Sequence, residues 1–138
     1  MIWNVKKVNK PELEVLVADS DLFCQIVSIT FHFSEPVIKG IKLLLDKAEA
    51  ENYLVYLNGK PAGAGTLLLD SNIGVILNVA TLFQYQKRGC GRSLMLFLMN
   101  RAHELKLKHL ILAASPMSEK LYSDLGFKKE FDIEIYAH

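Results

Sequence analysis

The chain has 138 residues, of which 51% are apolar and 22% charged. That is enough apolar length to bury a core without disulfide or metal staples, and it excludes a disordered or low-complexity scaffold. Sixteen Lys and Arg against fifteen Asp and Glu leave a formal charge of +1, which argues against a dedicated nucleic-acid binder.

Mean hydropathy is +0.19, so membrane insertion needs a direct check. The richest stretch, Leu67 to Phe83, is broken by Asp70, Ser71, Asn72 and Asn78 and reads as buried strands rather than a membrane helix. The first residues lack the apolar core and cleavage site of a signal peptide. Cys24 and Cys90 form no CxxC pair, and His32, His103, His109 and His138 have no metal-ligand spacing. A single cytoplasmic domain over residues 1–138, without metal, is therefore expected.

Residues 1–8 read as a first strand of poor alternation. Pro11-Glu12-Leu13-Glu14 carries helix-start signals, and Ser20-Asp21 offers a second cap before an apolar run to Val27. Ser34-Glu35-Pro36 opens a helical spacing through Val37, Ile38, Ile41, Leu44 and Leu45, so helices are predicted over most of residues 11–50. The period then changes. Tyr53 to Leu57 reads as a strand, Asn58-Gly59 as a hairpin turn, residues 61–69 as the return, and Val75 to Ala80 as a third antiparallel strand. From Gly89 the helical period resumes, with Leu94, Phe97, Leu98, Ala102 and Leu105 on one face and Arg92, Asn100, Arg101 and Glu104 outward. His109 to Ala114 suits a strand covered on both faces. A helix over 118–125 ends at Gly126, and Phe131 to Tyr136 alternates like a half-buried last strand. The predicted fold class is α/β, a mixed and largely antiparallel sheet with helices on both faces.

Chemistry concentrates where the third strand runs into the long helix. Gly89 and Gly91 open that helix, whose first amides are unpaired and lie at the positive end of its dipole. Lys87, Arg88 and Arg92 add charge beside them. This combination suits a phosphate or pyrophosphate cradle. A glycine-rich turn with solvated basic residues is the plainer alternative. A dinucleotide-binding loop fits worse, because Leu94 occupies the third glycine position and Ile111 stands where an acid is expected. A Walker loop is excluded by the lack of a GK[ST] sequence. The Cys90 thiol, at a helix start beside Lys87 and Arg88, could have a lowered pKa; the alternative is a small residue tolerated between two glycines.

Gln86-Lys87-Arg88-Gly89-Cys90-Gly91 reads Q-x-x-G-x-G and resembles the acetyl-CoA signature of the GNAT N-acetyltransferase superfamily. Lys120-Leu121-Tyr122-Ser123-Asp124-Leu125-Gly126-Phe127 is similar to its second hallmark, a Tyr-bearing helix ending in Leu-Gly-Phe. The likeness covers roughly residues 52–136. It implies acetyl-CoA as co-substrate and a small-molecule or peptide amine as acceptor. Lys87, Arg88, Gly89, Cys90, Gly91, Arg92 and Ser93 would hold the pyrophosphate through backbone N–H groups, and Gln86, the first motif residue, would also belong to the cofactor site. Val79 and Thr81 would bind the pantetheine arm through their main chain, and an amide near Val79 or Ala80 would polarise the thioester. Ser115 and Ser118 would line the arm, and Tyr122 would protonate the departing thiolate.

The chain departs from the family pattern in four places. Ser115 and Ser118 stand where Asn and Ala are usual, and Gln86 replaces the commoner Arg. The strand that often carries a catalytic Glu reads Val75-Ile76-Leu77-Asn78, so Asp70, Glu51, His32 or water are the base candidates and Asn78 a substrate-orienting one. Residues 127–138 supply one strand where two are usual, leaving an edge for the first strand or a homodimer partner to cover. The expected function is N-acetyl transfer, with a non-catalytic CoA-binding module as the alternative. Neither nucleic acid nor membrane is expected as a partner.

Overall fold

The computed structural model describes residues 1–18, 20–32, 34–47, 49–114 and 118–129. In chain order they form β1 (Ile2–Asn4), β2 (Glu14–Val17), α1 (Ser20–Phe31), α2 (Glu35–Lys47), β3 (Ala50–Leu57), β4 (Lys60–Asp70) and β5 (Ile73–Thr81). A 3-10 turn (Phe83–Tyr85), α3 (Cys90–Glu104), β6 (His109–Leu112) and α4 (Glu119–Asp124) complete them. The six described strands make one sheet in the order β1-β6-β5-β4-β3-β2. Only β5 and β6 run parallel; every other neighbouring pair is antiparallel.

Alternation along β3 sorts the two faces. Tyr53 and Val55 belong to one core with Leu94, Leu98 and Met99 of α3, and with Tyr122 of α4. Leu54, between them, joins Phe23, Ile26 and Val27 of α1 in a second core on the opposite face. Helices therefore cover both faces, as predicted. The β3–β4 turn is also as read: Asn58 and Gly59 both take positive φ, 52° and 78°, which a two-residue hairpin of the right twist requires.

Residues 11–17 differ from the predicted helix. Glu14 to Val17 pairs with Tyr53 to Tyr56 as an edge strand, with Val15 buried in the α3 core. Proline and acids favour a helix start locally, but a ladder to a distant strand satisfies the same backbone and buries Val15 as well. The first strand is shorter than predicted. Residues after Asn4 form a strap across α3, where the Val8 amide donates to Asn100 Oδ1 (3.1 Å), Asn100 Nδ2 donates to the Asn9 carbonyl (3.1 Å) and the Leu13 amide donates to Ser93 Oγ (3.2 Å). Strand β6 ends at Leu112 rather than Ala114, and Ile111 and Ala113 are exposed, so it is covered on one face only. The last strand predicted over Phe131 to Tyr136 lies outside the described residues.

The edge of β6 is taken by the first strand, Ile2 to Asn4 running antiparallel to Ile111 to His109. On its other side Ile2 exchanges two backbone bonds with Lys128, at 2.9 and 2.8 Å. Trp3, 3% exposed, locks β1 down by stacking on Phe127 with ring centroids 5.9 Å apart. Replacing a buried aromatic of this size by Ala leaves a cavity that collapses only in part. Trp3→Ala is expected to lower unfolding free energy by about 3–5 kcal/mol in urea titrations; a loss below about 1 kcal/mol would show β1 to be dispensable.

Candidate active site

Strands β5 and β6 pair only from Ile73 to Ile76, against His109 to Leu112. Beyond that point β6 ends and β5 continues to Thr81 paired, among the described residues, with β4 alone. The Leu82 amide donates to the Ala62 carbonyl at 2.8 Å. Counting back along the ladder, Ala80 turns its main chain toward β4, while Thr81 and Val79 turn theirs to the open side. Between Ala64 and Thr66 the register slips, so that β5 carries one extra residue in the Asn78–Val79 segment. Such a bulge re-aims the local N–H and C=O groups and sharpens the strand's twist. The result is a wedge with extended, outward-facing backbone along one wall.

The same strand delivers the chain to the cradle. After the Phe83–Tyr85 turn, Gln86 Nε2 reaches back to the Thr81 carbonyl at 3.5 Å. Lys87 adopts φ 62° and Gly89 φ 82°, and Gly89 caps α3 without any side-chain bond. The helix ladder begins with the Ser93 amide donating to the Gly89 carbonyl (2.9 Å). The amides of Cys90, Gly91 and Arg92 lie ahead of that first bond, at the positive end of a 15-residue helix. Lys87, Arg88 and Arg92 are exposed around them. Gly91 is instructive, because a Cβ there would meet only Leu121 Cδ2, at an ordinary 3.5 Å. Neither packing nor its helical backbone demands a glycine there.

That same contact sets α4 against the start of α3. Tyr122, on α4, is 6% exposed and lies 6.2 Å from Phe127, centroid to centroid. Burial pushes its phenol pKa above the ordinary value, and a hydrogen bond with the Ser118 side chain offsets this in part. The hydroxyl is thus held protonated, the state a proton donor needs.

A family model described as the acetyltransferase (GNAT) domain matches residues 32–137. The chain belongs to the GNAT acetyltransferase family.

Solved structures of low identity share the fold. An acetyltransferase of Trypanosoma brucei superposes with TM-score 0.73 at 18% identity, over 92% of this chain and 100% of that one. An acetyltransferase of Bacillus subtilis in complex with CoA gives 0.70 at 20%, over 91% and 90%. A predicted acetyltransferase of Clostridium acetobutylicum with acetyl-CoA gives 0.69 at 16%, over 90% and 96%. No curated protein sequence matches the chain.

Within this GNAT fold, several residues singled out by sequence sit elsewhere than the cradle. Ser93 is 3% exposed, its amide spent in the helix ladder and its hydroxyl on the strap. The Cys90 thiol is buried, 3.7 Å from the Tyr85 carbonyl. Burial pushes its pKa up, with Arg88 only partly opposing, so the lowered value weighed from sequence does not occur. Its side chain faces the core, and only its amide faces the cradle. Ser115 lies outside the described residues, as does the side chain of Asn78.

The base candidates separate as well. Glu51 is closed into a bidentate pair with Arg101 (2.8 and 2.9 Å) and also accepts from the Tyr53 hydroxyl (2.7 Å). Arg101 holds its carboxyl below the usual range against a smaller opposing effect of burial, which unsuits it to take a proton. Asp70 lies at the β4–β5 turn opposite Ile73, about 20 Å along the strand from Val79 at 3.3 Å per residue. His32 is exposed just past α1. Among the described residues no helix is long and apolar enough to cross a membrane, and no cluster of His, Cys, Asp or Glu could hold a metal ion.

Gly91 gives a sharp test. Gly91→Ala is expected to keep or slightly raise the melting temperature, since Ala is favoured over Gly in a helix by roughly 1 kcal/mol. Acetyl-CoA affinity by calorimetry should fall at least about tenfold as the Cβ enters the anion's space. Unchanged affinity would show that no ligand approaches Gly91.

Proposed function

We propose that the chain transfers an acetyl group from acetyl-CoA directly to a primary amine. The observation that carries this reading is the wedge past Ile76 and Leu112, which leaves the Val79 and Thr81 backbone facing an open side beside the α3 cradle. Acetyl-CoA supplies an activated thioester and a thiolate leaving group. The amides of Cys90, Gly91 and Arg92, with Lys87 and Arg88, bind its pyrophosphate. The main chain of Val79 and Thr81 pairs with the peptide-like arm as a missing strand would. An amide of the bulge at Val79, rather than that of Ala80, which faces β4, points at the thioester oxygen and stabilises the charge that develops there. Gln86 holds Thr81 in line from below. Ser118 orients the Tyr122 hydroxyl, which donates the proton that the departing sulfur requires. With Glu51 sequestered, water is the proton acceptor for the attacking amine.

Two measurements test this. A panel of amines, from amino acids to polyamines and peptide N-termini, is assayed for acetyl-CoA-dependent thiol release. Steady turnover on at least one acceptor is expected; tight acetyl-CoA binding without turnover on any would favour a CoA-binding module instead. On the best acceptor, Tyr122→Phe should lower kcat by about 10²–10⁴-fold with little change in acetyl-CoA affinity. A phenol with a raised pKa stays protonated past about pH 10, the ordinary tyrosine value, so the wild-type alkaline limb should fall only above that. A rate unaffected by the substitution at alkaline pH would remove Tyr122 from the reaction.

A further inference from the structure

A second cavity, of ≈690 Å³, lies between the strap and the far half of α3. Its size falls within the range of small-molecule sites. It belongs to neither the wedge nor the cradle. Its α3 wall is built from Phe97 onward, whereas the cradle lies at Cys90. The floor is apolar, formed by Val8, Pro11, Leu13, Val15 and Phe97.

The polar groups around this floor are unequally engaged. Asn100 spends its carbonyl and amide on the strap backbone. Arg101 is bonded to Glu51 through Nε and a terminal nitrogen, and to Glu104 at 3.2 Å through the other. Lys7 and Lys10 are exposed and have no ion pair among the described residues. They stand three positions apart on the strap, and of the two lining carboxylates Glu14 alone lacks an ion pair among the described residues. His103 adds a ring at the rim. An apolar floor with two unspent ammonium groups on one wall suits an organic molecule with an apolar body and one negative charge.

We propose that the strap and α3 form a second ligand site, distinct from the acetyl-CoA cleft, for an amphipathic organic monoanion such as a carboxylate or sulfonate on an aromatic or aliphatic body. Its apolar body lies on Leu13, Val15 and Phe97, and its anionic group meets Lys7 and Lys10. Because Asn100 and Ser93 tie the strap to α3, an occupant would bridge the segment between β1 and β2 to the helix that carries the cradle. The inference does not depend on the acetyl-transfer reading.

The test uses 8-anilinonaphthalene-1-sulfonate as probe and the uncharged N-phenyl-1-naphthylamine as its control, on the full chain with saturating acetyl-CoA present. The sulfonate probe should bind saturably at one site, and better than the control. Lys7→Ser/Lys10→Ser should weaken it by about tenfold, the scale of losing two partly exposed charge contacts, and abolish its advantage over the control. Those exposed substitutions should leave the melting temperature and acetyl-CoA affinity unchanged, which separates loss of the site from loss of fold. The proposal is overturned if no saturable signal appears, if acetyl-CoA displaces the probe, if the control binds equally well, or if the double variant binds the probe as tightly as the original chain.

Discussion

Strand β5 has more backbone than it has neighbours. Its parallel partner β6 stops at Leu112, level with Ile76, and five further residues of β5 run on with only β4 beside them among the described residues. Backbone groups in the interior of a sheet need partners, and on the open side Val79 and Thr81 have no strand partner among the described residues, the Thr81 carbonyl meeting Gln86 Nε2 instead. The bulge over Asn78–Val79 bends the strand where its neighbour is lost. Everything else proposed for the site follows from this gap. In the proposed reading an extended, amide-bearing arm occupies it, and the chain runs on through one turn to the start of α3, where Leu121 of α4 lies beside Gly91.

The frame around the gap is held from both ends of α3. At its start, Gly89 in a left-handed conformation turns the chain into the helix and Leu121 lies beside Gly91. Toward its end, Arg101 grips Glu51 of β3 and Asn100 grips the strap. The Glu51–Tyr53–Arg101 cluster is charged yet closed on itself. Burial and Glu51 push the Tyr53 phenol up to about 12, so this contribution to stability is complete below pH 10 and lost as pH rises from 10 toward 12. Glu51 has the opposite sign, its contribution present above the ordinary carboxylate value and lost as pH falls through its lowered one. A residue that resembled a candidate base is therefore part of the scaffold. At the other sheet edge, β1 fills the place beside β6.

Features set by short-range chemistry could be read from the sequence. Asn58-Gly59 had to be a tight turn because both residues tolerate positive φ, and Gly89 and Gly91 marked a helix start because their spacing and the following apolar period agree. Features set by distant partners could not. Pro11 and Glu12 signal a helix, yet Glu14 to Val17 is drawn into the sheet by Tyr53 to Tyr56. Arg101 and Asn100 read as outward-facing polar residues, because the groups they bind, Glu51 and the Val8 and Asn9 backbone, are remote in sequence. The bulge leaves no mark on composition, and no turn signal at Ala113 or Ala114 marks the end of β6 at Leu112. The proposed site was thus legible in its loop and helix, whereas the bulge and the early end of β6 that shape its strand wall were not.

Amide hydrogen exchange with and without acetyl-CoA addresses the gap itself. Binding should slow exchange at Val79 and Thr81 on the open side of β5, and at Cys90, Gly91 and Arg92 ahead of the first α3 bond. Ala80, whose main chain already faces β4, should change little. Protection confined to other regions, or none at saturating acetyl-CoA, would contradict the assignment of the β5–β6 wedge as the acetyl-CoA site.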